Sequence, residues 1–187
     1  MTLLETCCEP SSLQYPEAVT TFRLLALRLL PGDQHTEQVA VELEPVALGG
    51  QPYVVVPAVV EAALIVQRAT TGYVFRLCFE VGVHGLCMRC LEDAVVPLVI
   101  DAREYHDLDP RGDDELVSDY VADDAVQLAA WARDAIVLAL PNPILCRSEC
   151  AGLCPACGKN LNLEPHTHEE EDVDPRWAAL QGLRDNA

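Results

Sequence analysis

The stretch Tyr73-Val74-Phe75-Arg76-Leu77-Cys78-Phe79-Glu80-Val81, entered through Thr71-Gly72, decides the fold. Phe75, Leu77, Phe79 and Val81 fall on one face, and Arg76, Cys78 and Glu80 on the other. That is the period of two a half-buried strand requires. A second alternation covers residues 95–103, with Val96, Leu98 and Ile100 opposed by Pro97, Val99, Asp101 and Arg103. Pro97 brings no N–H to a ladder, which predicts an edge or end position. Between the two runs lies Val83-His84-Gly85-Leu86-Cys87-Met88-Arg89-Cys90. The strands are expected to pair, with the Cys-x-x-Cys at their connection.

Upstream, residues 39–66 are rich in Val and broken by Pro45, Gly49-Gly50, Pro52 and Pro57, which is punctuation for short strands. Residues 22–30 are apolar but too short for periodicity to separate strand from helix. Pro31-Gly32-Asp33 ends them as a turn. Downstream, residues 101–124 hold ten acids and two arginines, which reads as a solvated loop or as a docking patch for a basic partner. Asp123-Asp124 are N-cap candidates for a helix near 124–140, through Ala125, Leu128, Trp131, Ala132, Ala135 and Ile136, which Pro141 stops. Asp174-Pro175 reads as the opening of a second, short helix. Strands come first and helices later, without βαβ alternation. The class expected is therefore α+β: an antiparallel, strand-rich body, one main helix, and a cysteine-rich, metal-stapled C-terminal element. The expected divisions are a loose arm at 1–20, a body at 21–145 and a knuckle region with a short helix at 146–187.

Twelve Lys plus Arg stand against thirty Asp plus Glu, a net charge of −18 at pH 7. So acidic a chain has no broad surface with which to neutralise nucleic-acid phosphates. Its natural partners are basic proteins, reached by fast and salt-sensitive association. Residues 1–13 lack a basic segment followed by an apolar run and a cleavage site. The most apolar stretch, 54–66, is interrupted by Pro57 and Glu61 and is shorter than the ~20 residues a spanning helix needs. A soluble, cytoplasmic protein without membrane partner is the expectation.

The nine cysteines cluster rather than spread as staples. In a reducing compartment, such clustering points to metal binding or redox chemistry. Cys154-Pro155-Ala156-Cys157-Gly158 is a knuckle: the spacing lets two sulfurs converge on one ion, and Gly158 permits the tight turn after them. The donors on hand are Cys87, Cys90, Cys146, Cys150, Cys154, Cys157, His166 and His168, enough for two closed zinc sites. One partition joins Cys154 and Cys157 to His166 and His168, and Cys87 and Cys90 to Cys146 and Cys150. The other makes a single site from Cys146, Cys150, Cys154 and Cys157. Cys7, Cys8 and Cys78 read as free thiols, with Cys78 a small core residue. Thiolates in tight loops mark closed, structural sites, and neither Cys-x-x-Cys stands between a strand and a helix as a thioredoxin-like dithiol would. No phosphate-binding Gly loop, Gly-x-Ser-x-Gly or His-Glu-x-x-His is present. Neither an enzyme nor a small-molecule substrate is expected.

Several blocks in order resemble the YceD family, whose members are described as large ribosomal RNA subunit accumulation proteins. They are Cys87-Met88-Arg89-Cys90-Leu91-Glu92 with Pro97-Leu98, then Leu138-Ala139-Leu140-Pro141. After these come Cys146-x3-Cys150-Ala-Gly-Leu-Cys-Pro-Ala-Cys-Gly-Lys-Asn-Leu-Asn162 and Asp174-Pro175-Arg176. The resemblance implies a non-enzymatic role in large-subunit ribosomal RNA accumulation; taken with the acidic charge, it points to an assembly factor with a basic large-subunit ribosomal protein or pre-ribosomal particle as partner. Relatives of this type often carry Cys-x-Cys after Asn-Leu-Asn, where this chain has His166-Thr167-His168. The change makes one prospective site neutral instead of −2, and its imidazoles must shed a proton to bind, so mild acid should empty it first. Two other roles compete: direct contact with precursor rRNA through Arg147, Lys159, Arg176 and Arg184 around the knuckle, and a dithiol redox or stress sensor.

Overall fold

The computed structural model describes residues 18–110 and 116–168. In chain order its elements are β1 (Thr21–Arg23), a 3-10 turn (Leu25–Leu27), β2 (Gln34–Glu42), β3 (Val46–Leu48), β4 (Gln51–Val56) and β5 (Val59–Arg68). There follow β6 (Gly72–Leu86), β7 (Asp93–Asp107), β8 (Val121–Ala122), β9 (Ala125–Gln127) and α1 (Leu128–Ala139). Every strand pair is antiparallel. The architecture is strand-rich antiparallel sheet with one helix, as the order of patterns predicts.

The two alternating runs form the central hairpin. β7 lies along all of β6, from Gly72 opposite Asp107 to Leu86 opposite Asp93. On its other side β6 meets β5 first, through Tyr73 to Cys78, and then β4, through Gly82 to His84. β2 closes the sheet beyond β5, and β3 beyond β4. Among the described residues β7 pairs with β6 alone, so Pro97 does stand on an edge strand.

The inward residues behave as their period requires. Phe75, Leu77, Phe79 and Val81 are buried, together with Leu64 and Val66 of β5, Val39 and Val41 of β2, and Leu98 and Ile100 of β7. α1 covers them with Leu128, Trp131, Ala132 and Ile136. The Trp131 ring meets Phe75 edge-on at 6.5 Å and stacks on Tyr120 at 6.3 Å. Truncating such a buried aromatic costs about 3–5 kcal/mol.

Two expectations are corrected. Asp123 and Asp124 do not cap the helix: both have positive φ (50° and 56°) and form the two-residue turn that pairs Ala122 with Ala125. Asp tolerates this left-handed backbone, and two such residues in a row match the twist of a tight hairpin. Residues 125–127 become β9 and pair with β1, so α1 begins at Leu128, with Gln127 as a cap lacking any side-chain hydrogen bond. The acid-rich segment is also not wholly a loop, because Asp101 to Asp107 belong to β7. Its carboxylates misled because a solvated strand face tolerates them as a loop does; Asp101 is held by the guanidinium of Arg76 at 2.6 and 2.8 Å. The ambiguous run at 22–30 resolves into β1 and the 3-10 turn. Cys7, Cys8, most of the expected arm and the helix expected after Asp174 lie outside the described residues.

Candidate metal centre

Close packing places the end of the β6–β7 hairpin. Gly85 lies under the ring of Tyr53, where an added Cβ would strike the aromatic carbons, and the Tyr53 hydroxyl donates to the Leu86 carbonyl at 3.1 Å. Beyond it, residues 87–92 form a knuckle closed by the Cys87 N–H on the Glu92 carbonyl (2.8 Å) and the Leu91 N–H on the Cys87 carbonyl (3.0 Å).

The chain returns to this knuckle after α1. Buried Ile144 accepts from the Met88 N–H at 2.9 Å, and its own N–H donates to Met88 Sδ at 3.4 Å. Cys146 and Cys150 follow. Arg89 secures the approach on two sides: its carbonyl accepts from the Leu153 N–H at 3.1 Å, and its guanidinium donates to the Cys150 carbonyl at 3.0 Å. Gly152, at φ 80°, sits close enough that an added Cβ would come within 3.2 Å of the Arg89 carbonyl oxygen.

These contacts bring Cys87, Cys90, Cys146 and Cys150 together, with all four sulfurs within 4.8 Å of one another. Cys87 and Cys150 are 3.7 Å apart, as are Cys90 and Cys146. A tetrahedron of sulfurs with metal–sulfur bonds of about 2.3 Å has edges of about 3.8 Å, so this spacing fits a thiophilic, four-coordinate ion. Cys87, Cys90 and Cys150 are buried and Cys146 faces solvent.

The second group is local. Cys154, Cys157, His166 and His168 also lie within 4.8 Å of one another. The Gly158 N–H donates to the Cys154 carbonyl and the Cys154 N–H to the Lys159 carbonyl, both at 2.8 Å, with Gly158 at φ 73° as the turn demands. His166 Nδ1 is 2.7 Å from the Glu164 carbonyl, which makes it the N–H donor and leaves Nε2 as the ligating atom. That Nε2 stands 3.1 Å from Cys157 Sγ. A tetrahedral sulfur–nitrogen edge is about 3.5 Å, so holding an ion here would require these two atoms to separate by a few tenths of an ångström. The four donors Cys146, Cys150, Cys154 and Cys157 do not form a group of their own.

Charge explains why a cation suits both groups. Burial pushes the Cys87 thiol up, but the N–H groups of Cys90, Arg89 and Cys146 outweigh it and bring the thiol down to about 6. For Cys90 the N–H of Glu92 pulls down, but burial and the neighbouring sulfurs outweigh it and push the thiol up to about 12. Four sulfurs at this distance accept one negative charge readily and resist the next, unless a cation joins them. In the second group the Cys157 N–H, working against burial, brings Cys154 down to about 6. The Glu164 carbonyl and Cys154 raise His166.

Asn162, in the Asn-Leu-Asn block after the second knuckle, is structural to the first group. Its Oδ1 accepts from the Ala151 N–H at 2.9 Å, and its Nδ2 reaches Cys150 Sγ at 3.4 Å and Asn160 Oδ1 at 2.8 Å. The repeated Asn160-Leu161-Asn162 was the available signal. Among the described residues, Arg147 and Lys159 lie on these segments, and Lys159 is engaged by Glu164 at 2.7 Å. Arg176 and Arg184 lie outside the described residues. No helix among them is long and apolar enough to cross a membrane.

Residues 76–184 match the family described as large ribosomal RNA subunit accumulation protein YceD. An uncharacterized protein of Mycobacterium tuberculosis is 32% identical over 127 residues, 66% of this chain and 61% of that protein. One of Mycobacterium leprae is 41% identical over 64 residues, 34% of this chain and 29% of its own. The uncharacterized protein YlbN of Bacillus subtilis is 33% identical over 101 residues, 52% of this chain and 58% of its own. The match therefore spans about three-fifths of the Mycobacterium tuberculosis relative's length. No solved structure matches the chain. The matched span takes in most of the central hairpin, α1 and all eight grouped donors, over more than half of the sequence: the chain belongs to the YceD family.

Proposed function

We propose that this chain is a non-enzymatic, cytoplasmic factor of large ribosomal subunit assembly that sustains large-subunit rRNA accumulation. The observation that carries this reading is the pair of four-donor groups inside the family match. Cys87, Cys90, Cys146 and Cys150 would hold one zinc ion, and Cys154, Cys157, His166 and His168 a second. When bound, zinc supplies a structural crosslink and neutralises thiolate charge. Four protein donors fill a tetrahedral shell and leave no position for substrate, which is the pattern of a structural site.

The chain's own residues do the remaining work. Asn162 and the backbone N–H groups orient the sulfurs, and Ile144 and Arg89 seat the returning segment on the hairpin. Within the expected 146–187 region, the described residues 146–168 then serve as a docking element held on the β6–β7 hairpin. The net charge of −18 directs the chain as a whole toward a basic large-subunit ribosomal protein, free or on a precursor particle, by long-range and salt-sensitive attraction.

Direct contact of the knuckle with precursor rRNA is the second reading. Arg147 and Lys159 favour it by position, and of the two Lys159 is already engaged, by Glu164. Sedimentation of the native protein in lysate through a sucrose gradient, at low and moderate salt, separates the readings. Co-migration with large-subunit precursors that weakens steeply with salt and survives nuclease supports a protein partner. Loss on nuclease treatment favours RNA. Migration at the top of the gradient in both salts, together with a physiological disulfide potential, favours a dithiol sensor.

A further inference from the structure

β7 leaves a long open sheet edge. Among the described residues its partner is β6 alone, so the N–H and C=O groups on its far side have no ladder to join there. The other outer strands are less open: β3 has three residues, and β2 is met by Val19, whose N–H donates to the Ala40 carbonyl at 2.7 Å. Along residues 99–104 this edge is one wall of a cleft of about 460 Å3. α1 makes the opposite wall with Trp131, Ala135, Leu138 and Ala139, where the two alanines leave the space. The two most exposed large hydrophobic side chains among the described residues, Leu138 (85%) and Val99 (76%), both line it.

The edge is blunted only outside this segment. Pro97 offers no N–H, and at the other end the Leu108 N–H points back to the β6 side, onto the Thr71 carbonyl. Between them, Asp101 is drawn back toward β6 by Arg76. A strand laid against β7 would set alternate side chains into the cleft on Trp131 and the alanines, and the others beside Val99. Its end near Tyr120 would meet acid: Asp134 accepts the Tyr120 hydroxyl at 3.1 Å, and Glu104 and Asp119 also act on that phenol.

We propose that the cleft between β7 and α1 receives an extended segment of a basic protein partner, added edge-on to residues 99–104, with apolar residues at alternate positions. Main-chain hydrogen bonds would supply affinity and the alternate pockets specificity. The basic character of the partner rests on the assembly-factor reading above. A second copy of this chain is disfavoured because each carries −18.

The test titrates the full chain with a synthetic peptide of alternating Val and Lys, and with two controls. One control has Glu for Lys; the other is N-methylated at alternate amides and cannot pair. The expected result is slowed amide exchange confined to residues 99–104 and the facing side of α1, with the Lys peptide only. Ala139→Trp, at an exposed position at the cleft wall, should weaken that binding about tenfold, and Leu25→Lys, exposed on the 3-10 turn away from the cleft, should not. Absence of protection at residues 99–104, or equal binding of the Glu peptide, overturns the proposal. So does concentration-dependent dimerisation that Ala139→Trp abolishes, which would make a second copy the occupant. Sedimentation of the same variants keeps the two readings apart. Co-migration with precursor particles without peptide binding rejects the cleft but not the assembly role, and peptide binding without co-migration does the reverse.

Discussion

The side-chain amide of Asn162 donates to Cys150 Sγ at 3.4 Å while its oxygen accepts from the Ala151 N–H at 2.9 Å. One residue beyond the second knuckle thus orients a sulfur of the first group. Hydrogen bonds to ligating atoms of this kind contribute about 10–100-fold in metal affinity. Asn162→Ala is expected to weaken retention of one zinc by about that factor in a chelator competition, with the fold intact. Unchanged release of both ions would remove Asn162 from the site.

The two groups should differ in what they stabilise. Cys87 and Cys90 stand at the hairpin end and Cys146 and Cys150 beyond α1, so an ion there closes a long loop; Cys154 to His168 close a short one. Cys150→Ser is expected to lower Tm markedly, and Cys157→Ser only slightly. The more exposed group, with its two histidines, should also yield its metal to chelator, or to mild acid, before the buried all-cysteine group does. Scanning calorimetry with metal readout checks both orders; reversal in either contradicts the assignment.

Acid sensitivity has an identified contributor. Arg76 holds the Asp101 carboxyl below its usual range, with Arg103 adding to the effect against partial burial. A carboxyl with a depressed folded-state pKa adds stability above its unfolded value, about 3.9, and that stability disappears as pH falls through the lower folded value. Asp101→Asn should therefore lower urea stability at neutral pH and flatten its decline below about pH 4. An unaltered acid limb would show that the pair contributes nothing.

The Asp123-Asp124 turn gives a prediction of opposite sign. Both residues hold positive φ, a backbone for which Asn-Gly is better suited. Asp123→Asn with Asp124→Gly is expected to raise stability by about 0.5–1 kcal/mol. A loss of stability would instead indicate that these aspartates support the helix.

What was legible in the sequence, and what was not, follows from range. Residues 73–81 and 95–103 carry enough alternating positions to declare both strands, and Pro97 declares an edge because its missing N–H is a local property. β8 and β9 have two and three residues, too few for any period, so the helix signal that starts at Leu128 spread backward over them. The pairing of Asp101 with Arg76 was not legible because the two lie on different strands. The eight donors were visible as residue types at knuckle spacing, yet their division is a tertiary matter. It depends on Ile144 and Arg89 seating the post-helix segment on the hairpin.

Metal content of the untagged protein, measured by elemental analysis alongside titration of its thiols, tests the central claim most directly. Two groups of four donors predict about two zinc ions per chain, with the six grouped cysteines protected until chelator is added. Fewer than one zinc per chain, with all nine thiols reacting freely, would contradict it.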